Sequence, residues 1–137
     1  MSEDFLKEMD FPITDNFPEI KQDSELSDLS KKGYEFLKEN KIDEAKEAFS
    51  KILEIDANNN YALVGMGDSE RKQCHFDEAV LFYSRCLASH PGNNYALFGL
   101  ADCYKALGQF NKAIDIWEQY LIHDDRNITV LTRVADA

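Results

Sequence analysis

Asp68, Asp102 and Asp136 recur at one fixed interval, and Tyr61 and Tyr95 are set at the same interval. Carboxylates and rings spaced that regularly can hold an extended polypeptide, the polar rungs meeting its backbone and the rings its side chains. Catalysis requires a convergent set instead, and the sequence contains no Gly-rich phosphate loop, no HExxH pair and no nucleophile elbow. Cys74 and His75 are of metal-ligating type, but no second pair lies at ligand spacing. The chain is therefore expected to be non-enzymatic and to carry no metal or cofactor.

The spacing belongs to a longer internal repeat. Asn59-Asn60-Tyr61-Ala62-Leu63, Gly65 and Asp68 fall on Asn93-Asn94-Tyr95-Ala96-Leu97, Gly99 and Asp102 when the sequence is shifted by that interval. In each unit's second half Ala45, Ala79 or Ala113 precedes a large aromatic, Phe49, Tyr83 or Trp117, by four positions. On a helix that spacing puts a notch and a knob on one face, ready for a neighbouring helix. In each first half Leu29, Leu63, Leu97 or Leu131 is followed by a small residue, Gly33, Gly67, Ala101 or Ala135, which lets two helices approach closely.

Two series of potential caps mark the helix starts. Asn59, Asn93 and Asn127 are placed to open the first helices of units two, three and four, and Asp43, Asp77 and Asn111 to open second helices. The pattern predicts helices over about 25–39 and from 43, then 59–72, 77–89, 93–106 and 111–122, and from 127 to the end.

This unit resembles the tetratricopeptide repeat, a helix-turn-helix of about 34 residues with Leu-Gly, then Tyr, then Ala-x3-Phe, then Pro. Phe36 and Tyr104 fill the Tyr position, Pro91 the Pro position, and Gly108 the turn between the helices of unit three. Lys32 stands in place of Leu, Glu70 in place of Tyr, and Ala57 and Asp125 in place of Pro. The resemblance runs from Leu26 to the end, with repeats at about 26–59, 60–93 and 94–127 and a partial fourth at 128–137. It implies an all-α, right-handed solenoid of antiparallel helix pairs.

In such a solenoid the first helix of each unit lines the concave face. The resemblance therefore implies a groove for a protein or peptide partner, lined by Tyr34, Leu37, Lys38, Tyr61, Val64, Asp68, Arg71 and Lys72. It continues through Tyr95, Phe98, Asp102, Lys105, Thr129, Thr132 and Asp136. Two readings of the Asp ladder stand side by side: rungs for a bound peptide, or acids paired within their own helices, Asp68 with Arg71 and Lys72 and Asp102 with Lys105. Chaperone-binding members clamp a C-terminal carboxylate with Lys and Asn. Ser30, Tyr34 and Gly65 occupy those positions here, so that ligand is not expected. Ile128, Leu131 and Val134 are patterned to receive a second helix that this sequence does not contain. Homodimerisation through that face is one alternative function, and recruitment within a longer multidomain protein is another; the natural chain is expected to continue past Ala137.

The net charge is −11, and residues 1–26 contribute −6 of it through eight acids and two bases. That balance argues against nucleic acid, which needs Lys and Arg against its phosphates. No run of 18 apolar residues exists to span a membrane, and Met1-Ser2-Glu3-Asp4 lacks the basic start of a secretory signal, which points to the cytoplasm. Cys74, Cys86 and Cys103 lack CxxC spacing and fit a reducing compartment, with Cys86 expected in the core. Residues 1–25 stand outside the repeat as an acidic extension. It is expected to be partly disordered, or packed on the repeats through Phe11-Pro12-Ile13 or Phe17-Pro18-Glu19-Ile20; Pro12 and Pro18 leave little room for a long helix beyond Asp10.

Overall fold

The computed structural model describes residues 18–123, with side chains from 24 to 122, and within them every regular element is helical. In order these are α1 Pro18–Lys38, α2 Ile42–Ile55, α3 Asn60–Lys72, α4 Phe76–Ser89, α5 Asn94–Ala106 and α6 Phe110–His123. Each packs on the next, giving the antiparallel pairs α1/α2, α3/α4 and α5/α6. The first helices of the pairs also touch, α1 on α3 and α3 on α5, whereas α2, α4 and α6 make no comparable contact with one another. Helices that meet on one side and splay on the other form a curved stack. The solenoid therefore has α1, α3 and α5 on its inner face.

The asparagine caps open the inner helices as expected. Asn59 accepts a 3.0 Å hydrogen bond from the backbone N–H of Ala62, and Asn93 accepts one of 2.9 Å from Ala96. Each satisfies a donor that the first turn leaves without a partner. The second series behaves otherwise: α2 and α4 begin one residue ahead of Asp43 and Asp77, and their cap residues, Lys41 and His75, make no side-chain cap bond. Asp43 and Asp77 lie inside the first turn, where their charge favours the helix dipole instead.

The reason lies in the turn before each outer helix. Asn40, Cys74 and Gly108, which share one register position in successive units, have φ of 63°, 62° and 76°. Around Cys74 the N–H of His75 bonds to the carbonyl of Glu70 at 2.8 Å and the N–H of Cys74 to that of Arg71 at 2.9 Å. Lys41 to Phe36 with Asn40 to Leu37, and Gln109 to Tyr104 with Gly108 to Lys105, repeat the pattern. This is the left-handed closure that satisfies the last carbonyls of a helix. The residue after it is already committed to that turn, so it becomes the cap of the next helix whatever its side chain.

α1 starts at Pro18, several residues earlier than expected. Proline at the first helical position lacks only an N–H that no carbonyl would take, so it opens this helix rather than breaking it.

Packing follows the notch-and-knob pattern. Ala45, Ala79, Ala113, Phe49, Tyr83 and Cys86 are fully buried, and Trp117 nearly so. The Phe49 ring lies between Gly33 and Gly65, and the Tyr83 ring between Gly67 and Gly99. A Cβ at Gly33 or Gly67 would come within 2.6 Å of its ring, and Gly65 and Gly99 leave still less room. Each aromatic is thus clasped by the inner helices of its own unit and the next.

Candidate functional site on the inner helix face

Side-chain bonds tie the inner helices to one another. Tyr34 in α1 donates to the carbonyl of Tyr61 in α3 at 2.6 Å, and Lys72 Nζ in α3 donates to the carbonyl of Leu37 in α1 at 2.9 Å. Arg71 spans α3 and α5, with Nη2 3.3 Å from Asp68 Oδ1 and Nη1 3.0 Å from Asp102 Oδ2. Tyr83 reaches in from α4 and donates to Asp68 Oδ1 at 2.5 Å, and the Arg71 guanidinium lies 6.0 Å from its ring centre.

This arrangement decides how the acids pair. Asp68 takes Arg71 within its helix, as one reading expected, but Lys72 turns to the end of α1, where its charge also meets the C-terminal dipole. Asp102 pairs with Arg71 of the preceding unit. Burial pushes the Asp68 carboxyl above its ordinary value, with Arg71 and the Tyr83 phenol pulling it back. Burial likewise holds the phenols of Tyr34 and Tyr83 well above theirs.

Among the described residues two clefts on this face stand out. One, of about 290 Å³, is formed by Tyr34, Leu37, Lys38, Asp68 and Lys72 at the C-terminal ends of α1 and α3. Its exposed groups are the two lysines. The other, of about 370 Å³, is lined by Asn60, Tyr61, Asn94, Tyr95, Phe98 and Tyr120, among others, at the N-terminal ends of α3 and α5. Phe98 and Tyr120 meet edge to face there, with ring centres 4.7 Å apart. One end of the face is thus cationic and the other aromatic.

The expected groove residues divide by burial. Lys38, Lys72 and Lys105 are exposed, and Tyr61, Arg71, Tyr95, Phe98 and Asp102 are partly buried. Tyr34, Leu37 and Asp68 are buried at the cleft edge. Val64 is fully buried. Thr129, Thr132 and Asp136 fall outside the described residues, as do Ile128, Leu131 and Val134. Tyr120, Asn60 and Asn94 line the aromatic cleft as well, outside the expected groove positions. Tyr120 shares its register with Cys86 and Ile52, both core residues, so its position alone reads as packing.

A second polar group sits between α2, α3 and α4. Glu70, where the repeat has Tyr, is buried, forms an ion pair with Lys46 of α2, and has His75 Nδ1 3.3 Å away. Lys46 Nζ also lies 3.3 Å from Gln73 Oε1. A carboxylate can occupy this interior position because a cation and a turn residue meet it there. Among the described residues no cluster of three or more His, Cys, Asp or Glu could hold a metal, and no helix is long and apolar enough to cross a membrane.

Residues 29–59 and residues 71–132 each match a model of the tetratricopeptide repeat. The chain belongs to the tetratricopeptide-repeat family, an all-α solenoid. Its fold is similar to that of the first such domain of Spaghetti (RPAP3) bound to the HSP90 peptide SRMEEVD, at TM-score 0.77 and 18% identity over 82% of this chain and 90% of that one. The Arabidopsis OM64 domain gives 0.75 and 14% over 81% and 92%. PcrH in complex with the chaperone binding region of PopB gives 0.70 and 16% over 90% and 96%. At those identities the likeness is one of fold. No curated protein matches the chain in sequence.

Proposed function

We propose that this protein is a non-enzymatic scaffold that binds a protein or peptide segment along its inner helix face. The observation that carries this reading is the pairing of a cationic cleft around Lys38 and Lys72 with an aromatic cleft around Tyr61, Tyr95 and Phe98 on one face. Solved neighbours of the same fold are bound to a peptide or to a region of another protein, which supports the same kind of use. Aromatic rings supply contact area at small entropic cost, and lysines supply charge selection, so an extended segment with apolar and acidic side chains suits both ends. The ladder then has a divided role. Asp68 belongs to the framework, held by Tyr83 and Arg71, while Asp102 and Lys105 stand nearer the surface.

The test is selection of peptides from a random library against the full chain, followed by titration into Lys38→Glu/Lys72→Glu and Tyr95→Ala chains. Groove binding predicts a loss of tenfold or more in affinity for each. Unchanged affinity in both would place the binding surface elsewhere.

A further inference from the structure

We propose that residues 1–17 of the chain are themselves a ligand of the inner face, their phenylalanines entering the aromatic cleft and their carboxylates meeting Lys38, Lys72 and Lys105. This rests on the groove reading above and adds a competitor for that groove.

The chemistry of the segment is the complement of the face. It carries five acids and one lysine, net −4, and three phenylalanines, each with an acid close before it: Asp4-Phe5, Asp10-Phe11 and Asp15-Asn16-Phe17. The face offers exposed lysines at 38, 72 and 105 and a cleft lined by Tyr61, Tyr95 and Phe98.

The geometry brings the two together. α1 has 21 residues and α3 and α5 have 13 each, while Lys38 and Lys72 end their helices in the same register. The additional residues of α1 therefore carry its start about 12 Å past the N-terminal ends of α3 and α5. The aromatic cleft lies at those same ends. Pro18 opens α1, and a residue that precedes a proline is disfavoured in the helical region. Seventeen residues reach up to about 55 Å, against about 20 Å for two helix spacings across the face. A tether of that kind holds a ligand at an effective concentration of order 1 mM, so even weak contacts are populated.

The experiment compares the intact chain with a full-length Phe5→Ala/Phe11→Ala/Phe17→Ala chain by amide NMR and by peptide titration. The expected result is that amide signals of Tyr61, Tyr95, Phe98, Lys38 and Lys72 shift between the two. A synthetic peptide of residues 1–17 should then bind the triple variant at least tenfold more tightly than the intact chain and return those signals to their original positions. Shifts confined to positions 1–23, or equal peptide affinity for the two chains, would overturn the proposal. Library-selected peptides separate it from the groove reading. If they bind both chains equally but lose affinity in Lys38→Glu/Lys72→Glu, the groove stands and the self-ligand falls; if they ignore both that substitution and Tyr95→Ala, both fall.

Discussion

The phenol of Tyr83 in α4 donates a 2.5 Å hydrogen bond to Oδ1 of Asp68 in α3. The Tyr83 ring fills the space between Gly67 and Gly99, and Asp68 is paired with Arg71, which reaches Asp102 in the next unit. The knob that stacks the repeats is therefore also what holds the charges of the inner face. Tyr83→Phe keeps the ring and removes the donor, and should cost about 2 kcal/mol in urea unfolding, the scale of a hydrogen bond to a charged group.

The same substitution should sharpen the pH dependence. Asp68 is raised in the folded state by burial, and Tyr83 is one of the groups opposing that. A carboxyl raised on folding contributes its full stability below its unfolded value and loses it as pH rises through the folded value. Without Tyr83 the folded value climbs further, so the variant should lose more stability than the parent between acid and neutral pH. Parallel stability profiles for the two chains would contradict the assignment.

The cysteines should react unequally. Cys74 is exposed, while burial pushes Cys86 up to about 12 and Cys103 up to about 11. Titration with a chromogenic disulfide at neutral pH should label Cys74 quickly and the others only on unfolding. Because both buried thiols are raised on folding, their contribution is present below the ordinary thiol value of about 9 and lost as pH climbs through 11 to 12. An alkaline midpoint unaffected by Cys86→Ala would count against this.

Cys74 holds a left-handed backbone with φ of 62° at the turn where unit three has Gly108. That conformation costs a non-glycine residue about 1–2 kcal/mol. Cys74→Gly should therefore raise stability by about 1 kcal/mol once the greater entropy of the unfolded glycine is deducted. The corresponding rise in melting temperature is a few degrees. A lower melting temperature would show that the Cys74 side chain contributes something its exposure conceals.

Overpacking the seam should be costly. A methyl group at Gly99 would collide with the Tyr83 ring, and Ala79 is fully buried beside the same helix contact. Gly99→Ala and Ala79→Leu are each expected to lose about 1–3 kcal/mol, read from denaturant midpoints. Parent-like midpoints for both would mean the repeat register is misplaced.

The peptide SRMEEVD, bound by one structural neighbour, is expected not to bind here. Ser30 and Tyr34 are buried, and Gly65 lies against the Phe49 ring, so the clamp positions present no cation or amide to solvent. Calorimetric titration of that peptide into the intact chain should show no saturable heat. Micromolar binding would require a different set of contacts on the same face.

The sequence by itself determined the period, the helix pairs and the core, because a fixed repeat of alanine, aromatic and glycine positions admits one way to stack helices. It determined the asparagine caps too, since a cap bonds to a backbone N–H only a turn away. Tertiary structure decided what depends on neighbours distant in sequence. Val64 and Asp68 share the inner-helix pattern with exposed residues, yet both are buried, Asp68 with Tyr83 and Arg71 as its partners. Arg71 could pair within its own helix or across to Asp102, and only the spacing of α3 and α5 allows both. Tyr120 reads as core by register and is buried, yet it also borders a cleft, where its ring and that of Phe98 meet edge to face. Local bonds follow from local sequence; the chemistry of a face formed by three helices follows from how they are stacked.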